Sequence, residues 1–152
     1  MLNLDADKPA ASILWPEAKA ATKRVLSNTS TGLLLGDYVY SARTSGELVC
    51  LEAATGKQVW QVDTVTQLKN GSSIHLTPNG DTVLMFTDQG NLIRARLSAK
   101  GYEELSRVHV LDPTHSFFGR KVAWTPPAYA NGHIFTRNDA EVICASLKRQ
   151  NH

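Results

Sequence analysis

The sequence predicts an all-β fold assembled from repeated antiparallel four-stranded units, and three observations carry that reading. Stretches opening at Gly36, Gly80 and Gly132 echo one another: GDYVYSARTSGELVCL, GDTVLMFTDQGNLIRA and GHIFTRNDAEVICA. In each, two runs rich in β-branched and aromatic residues flank a turn at Gly46, Gly90 or Ala140, which is the pattern of a hairpin. The units start 44 and then 52 residues apart. Four short strands in roughly 40–50 residues is the period of a β-propeller blade. Helical repeats of similar period need apolar residues at 3.6 spacing, and the Val, Thr, Tyr and Gly content opposes that.

The elements follow in chain order. Residues 1–28 form a lead-in, with SILWP (12–16) as a stray outer strand and EAKAATKRV (17–25) as a short helix by propensity. The stray strand either completes the third unit or belongs to a further blade. The first blade, 29–68, takes strands from TGLLL, the hairpin after Gly36, and QVWQV. The second, 69–112, takes SIHLT, the hairpin after Gly80, and EELSRVHV. The third, 113–152, takes AWTPPAY as its inner strand and the hairpin after Gly132, and is incomplete because no outer strand follows Leu147. ELVCL, NLIRA and EVICA are nearly continuous apolar runs, as expected of strands covered on both faces. Pro78-Asn79-Gly80 and Asn131-Gly132 read as turns. Three units make an arc, whereas propellers have 4–8 blades. The expectation is therefore a fragment of a larger wheel, with closure of several arcs into a ring or an open stack as the alternatives.

Composition narrows the function classes. The 152 residues hold 42% apolar and 20% charged residues, ordinary values for a globular domain. The net charge is +2 and the basic residues are scattered, which disfavours nucleic acid as a partner. No apolar run reaches the roughly 20 residues of a membrane-spanning helix. MLNLDADKPAAS lacks the regions of a signal peptide, so the chain as given is expected in the cytoplasm.

Cys50-Leu51-Glu52, the turn Thr55-Gly56-Lys57, and Trp60 form a strand–turn–strand signature. Glycine tolerates the left-handed backbone of a tight turn, and an indole offers a large apolar area with one N–H donor. In this signature the sequence resembles the pyrroloquinoline-quinone-like (PQQ-like) β-propeller repeat proteins, over about residues 29–147. The resemblance implies a "tryptophan-docking" role for Thr55, Gly56, Lys57 and Trp60, with Trp60 lying against a neighbouring blade's turn. The second unit departs from the pattern, keeping Gly101 with Leu105 where tryptophan is expected. The family includes a lipoprotein of the bacterial outer-membrane assembly machinery and secreted or periplasmic proteins. Membership of a longer protein of that kind would change the expected compartment.

Several single residues carry candidate chemistry. Cys50 and Cys144 fall at equivalent positions in the first and third units, too far apart for a disulfide, and are expected to be small buried apolar groups. Arg94 holds that position in the second unit; it either finds a buried carboxylate or is released to solvent where the strand bends. His109, Asp112 and His115 match no metal-site spacing and are expected in a solvated loop. Asp88, Asp139 and Glu141 are read as turn chemistry rather than paired catalytic carboxylates. No catalytic constellation or metal site emerges, and no cofactor is expected. The segment 106–121 accounts for most of the eight extra residues between the second and third units and is the candidate recognition loop, with His109, Asp112, His115, Phe117, Phe118 and Arg120. The alternative is that one or both phenylalanines sit in the next inner strand as core. Three functions stand: a non-catalytic scaffold or protein-binding module, a fragment of a quinoprotein (PQQ-dependent) dehydrogenase, or a carbohydrate binder using Trp15 and Trp124. Partners are proteins or further blades, with self-association through exposed blade edges.

Overall fold

The computed structural model describes residues 1–15 and 26–148, and these contain strands but no helix. The helix expected over 17–25 lies outside the described residues. A first hairpin pairs β1 (Leu2–Leu4) with β2 (Ala11–Ile13). The next four strands, β3 (Leu33–Leu35), β4 (Tyr38–Ala42), β5 (Leu48–Glu52) and β6 (Gln58–Val62), form an antiparallel sheet in chain order. The second four-stranded sheet repeats that meander with β7 (Ile74–Asn79), β8 (Thr82–Thr87), β9 (Asn91–Ser98) and β10 (Gly101–His109). A small hairpin of β11 (His115–Phe117) and β12 (Arg120–Val122) intervenes. The third sheet has β13 (Ala128–Ala130), β14 (His133–Arg137) and β15 (Val142–Ser146).

Apolar side chains collect between successive sheets. Trp15 packs with Val39, Val49 and Leu51 where the first hairpin meets the first sheet. Ala42, Leu48, Val65, Ile74, Val83, Met85, Ile93 and Ala95 fill the space between the first and second sheets. Phe86, Leu92, Leu111, Ala123 and Ile134 do the same between the second and third. Removing apolar surface from water is the main favourable term here, at roughly 25 cal/mol per Å².

Three expectations need correction, and the alternatives left open for 12–16 and for Arg94 are narrowed. The 12–16 segment does not complete the third sheet: β2 pairs with β1, and Trp15 just beyond it packs on the first sheet. The inner strand of the third sheet is only Ala128–Ala130, because Pro126 and Pro127 have no N–H to give a ladder. Continuous burial holds for β5, but β9 alternates after Ile93 and β15 is largely exposed. Cys144 is accordingly exposed, on a face of β15 that no further sheet covers among the described residues, while Cys50 is buried; both are free thiols. Arg94 is exposed, its Nε donating to Thr82 Oγ1 at 3.3 Å.

Candidate functional site

Indole side chains link the sheets. In the turn after β5, Gly56 adopts φ +71°, and its N–H donates to the Glu52 carbonyl at 2.8 Å. Thr55 Oγ1 donates to Glu52 Oε2 at 2.8 Å and accepts from the Lys57 N–H at 3.1 Å, closing the turn. A Cβ on Gly56 would lie 2.6 Å from the Trp15 ring, so glycine is required twice, by backbone conformation and by space. Trp15 Nε1 donates to the Ala53 carbonyl at 2.7 Å. The motif does not close on itself: Thr55-Gly56-Lys57 receives Trp15, while Trp60 reaches onward and donates to the Ser98 carbonyl at the end of β9, at 2.8 Å. Tyr40 packs beside Trp60 with centroids 5.8 Å apart, and its phenol is pushed up to about 12 by burial and then by Cys50.

Trp15 takes a docking role beyond the one its sequence position suggests. Its signal is Leu4-Asp5-Ala6 followed by Trp15, an echo of Leu51-Glu52-Ala53 followed by Trp60, in which no glycine marks the turn. Trp15 is buried and Trp124 is half-buried outside any strand. Trp124 Nε1 donates to the Gly71 carbonyl at 2.7 Å, and its ring meets Phe117 edge-on at 4.6 Å. Both indoles are therefore packing elements, and neither is the exposed tryptophan that the carbohydrate reading used.

The 106–121 segment splits into separate environments. His109 pairs with Asp112 at 2.8 Å, whereas His115 pairs with Asp139 at 3.2 Å. The two histidines thus serve different carboxylates, and no group of three potential metal ligands exists among the described residues. Neither phenylalanine joins the inner strand β13. Phe117 is half-buried against Trp124 and Gly71, and Phe118 stands 86% exposed at the hairpin tip with φ +43°. Arg120 turns inward. Its Nη1 meets Asp88 Oδ2 at 2.6 Å and its Nη2 donates to Ser72 Oγ at 3.1 Å and the Asn70 carbonyl at 3.3 Å.

Asp88 is fully buried, and its other oxygen accepts from Thr66 Oγ1 at 2.6 Å. Its backbone carbonyl also accepts from the Ala123 N–H at 2.8 Å. Asp88 thus clamps three segments together, a larger role than turn chemistry. Asp139 and Glu141 remain in the β14–β15 turn, where Asn138 Oδ1 accepts from the N–H groups of Ala140 and Glu141. Nearby, His75 Nε2 donates to the Trp124 carbonyl at 3.0 Å, and burial lowers the imidazole below its ordinary range. The arrangement presents an exposed aromatic on an anchored hairpin.

A family profile described as outer membrane protein assembly factor BamB matches residues 6–104. Among solved structures, BamB from Moraxella catarrhalis shares 20% identity over 78% of this chain and 31% of its own, with a TM-score of 0.52. The β-propeller domain of Cps50 (Swd1) from Myceliophteria thermophila shares 16% identity over 95% of this chain and 52% of its own, with a TM-score of 0.52. A europium-containing methanol dehydrogenase shares 12% identity over 88% of this chain and 31% of its own, with a TM-score of 0.50. The chain spans about a third of the first and last of these and about half of the second. At such identities the likeness is one of fold, that of a β-propeller. No curated protein matches the chain significantly.

Proposed function

The chain belongs to the family of outer membrane protein assembly factor BamB, a family of PQQ-like β-propellers, and on that footing we propose that it is a non-catalytic scaffold module whose partners are proteins. The observation that carries this reading is the β11–β12 hairpin. Phe118 is presented to solvent at its tip, while Phe117, Trp124 and the buried Arg120–Asp88 pair fix its base. A rigid aromatic anchor loses little conformational entropy on association, and such anchors dominate protein interfaces. The docking joints at Trp15 and Trp60 hold the sheets as one scaffold behind it.

The test is a photo-crosslinking amino acid placed at position 118 in the protein expressed in its own host. One discrete adduct of fixed stoichiometry, absent when the same group replaces exposed Lys100, supports the reading. Equal labelling from both positions, or none from either, sinks it.

A second reading, a fragment of a quinoprotein dehydrogenase, is favoured by the fold shared with the methanol dehydrogenase. The donor set does not fit a metal–quinone centre, since the described residues contain no cluster of three His, Cys, Asp or Glu side chains. Adding pyrroloquinoline quinone with calcium is expected to leave the melting temperature unchanged. A saturable rise would move the assignment to the dehydrogenase.

A further inference from the structure

The joint between the second and third sheets differs from the one before it. Across the first sheet, Tyr40, Cys50 and Trp60 stand in one cross-strand row. The matching row of the second sheet is Leu84, Arg94 and Ser106. A register irregularity between Glu104 and Ser106 puts Ser106, rather than Leu105, opposite Arg94, as Trp60 is opposite Cys50. The receiving side matches as well. Ser98, whose carbonyl accepts the Trp60 indole, is four residues beyond Arg94, and Lys148 is four beyond Cys144.

Two aromatic side chains are thus replaced by leucine and serine, and a groove of about 510 Å³ occupies the position. Leu84, Leu92, Arg94 and Ser106 line one wall, and Ser146 and Lys148 line the other. The replacement of cysteine by arginine adds a cation to a space that indole and phenol fill in the preceding joint. Lys148 adds a second cation, and no carboxylate lines the groove among the described residues.

We propose that this groove is a binding site for an aromatic side chain flanked by a carboxylate, carried on an extended peptide of a partner protein. The ring takes the volume that Trp60 and Tyr40 take one joint earlier, against Leu84 and Leu92. The carboxylate meets Arg94, whose planar fork suits it, and Lys148. Ser106, Ser146 and Asn79 supply hydroxyl and amide partners for the peptide backbone. This site is separate from the hairpin tip and does not depend on it.

The test uses the purified full chain and a fluorescein-labelled Val-Thr-Trp-Glu-Val amide, followed by fluorescence anisotropy. Saturable binding is expected, weakened about tenfold or more when the peptide's Trp becomes Ala or its Glu becomes Gln, a change of about 1.4 kcal/mol each. Ser106→Trp fills the groove from within and is expected to abolish binding while raising the melting temperature. Arg94→Gln is expected to weaken binding and flatten its dependence on salt. Lys100→Gln, an exposed cation elsewhere, leaves it unchanged. No saturable binding by the native chain overturns the proposal, as does binding that survives both Ser106→Trp and Arg94→Gln. Should Ser106→Trp fail to fold, Arg94→Gln and the Glu-to-Gln peptide decide. No hairpin partner takes part, so failure here leaves the Phe118 reading untouched.

Discussion

Gly56, Asp88 and Phe118 each concentrate a role that a neighbouring residue cannot supply. Gly56→Ala puts a methyl group against Trp15 on a left-handed backbone, and a loss of about 1–3 kcal/mol is expected by urea denaturation. Asp88→Asn removes the charge facing a buried arginine and is expected to cost about 3–5 kcal/mol, well beyond a surface substitution. Phe118→Ala should change stability by less than about 1 kcal/mol, because only the Phe117 edge contact is lost, yet abolish co-purification of the partner that the position-118 crosslink identifies. The Thr55-Gly56-Lys57 turn could be read directly because glycine has few other reasons to stand there. Asp88 could not, because a turn aspartate and a buried clamp look alike until the segments carrying Thr66 and Arg120 are seen to converge on it.

At the level of elements, the strands of the first two sheets were legible from β-branched runs punctuated by Gly and Asn-Gly turns. The exposure of β15 was not, since its composition matches β5 and the difference lies in what packs on its faces: β5 is covered on both sides, β15 on one among the described residues. The bulge in β10 was likewise hidden, because equal spacing from Gly101 points to Leu105 while the ladder selects Ser106. Two elements carry pH dependence. On β7, burial depresses the His75 pKa, so the unfolded chain binds that proton first as pH falls. Stability from this group is complete above about pH 6.5 and declines as pH drops through the folded value. His75→Gln, which keeps a donor toward Trp124, should flatten the melting temperature between pH 7 and 5. On β10, the hydrogen bond from Arg107 holds Glu104 below the usual carboxylate range, and that contribution is lost at more acidic pH, as Glu104 protonates.

For the whole molecule, the repeats predicted the sheet order, and the distribution of core between sheets became visible only in three dimensions. The first–second interface is filled by an eight-residue buried cluster, and the second–third by five beside an open groove. Stability in stacked units is set by unit and interface terms, so hydrogen exchange is expected to show β13–β15 opening before β4, β5, β8 and β9. Val142 is 75% exposed on β15, whose outer edge is uncovered among the described residues. Light scattering coupled to gel filtration should show a mass that rises with concentration, and Val142→Lys should suppress that rise. A concentration-independent monomer would remove edge pairing as the route to self-association.

The two indole joints also carry a direction. Trp15 finds its acceptor 38 residues later, and Trp60 does the same. A chain emerging from the ribosome with its N-terminus first must therefore display each tryptophan unsatisfied until the following sheet has been made. Trp15 is latched when the turn at Ala53 appears, and Trp60 when Ser98 does. Synthesis thus locks each finished sheet with the next one, and the surface still awaiting a latch at any moment belongs to the sheet most recently completed. Chaperone contacts captured on stalled nascent chains would move stepwise along the sequence at that interval.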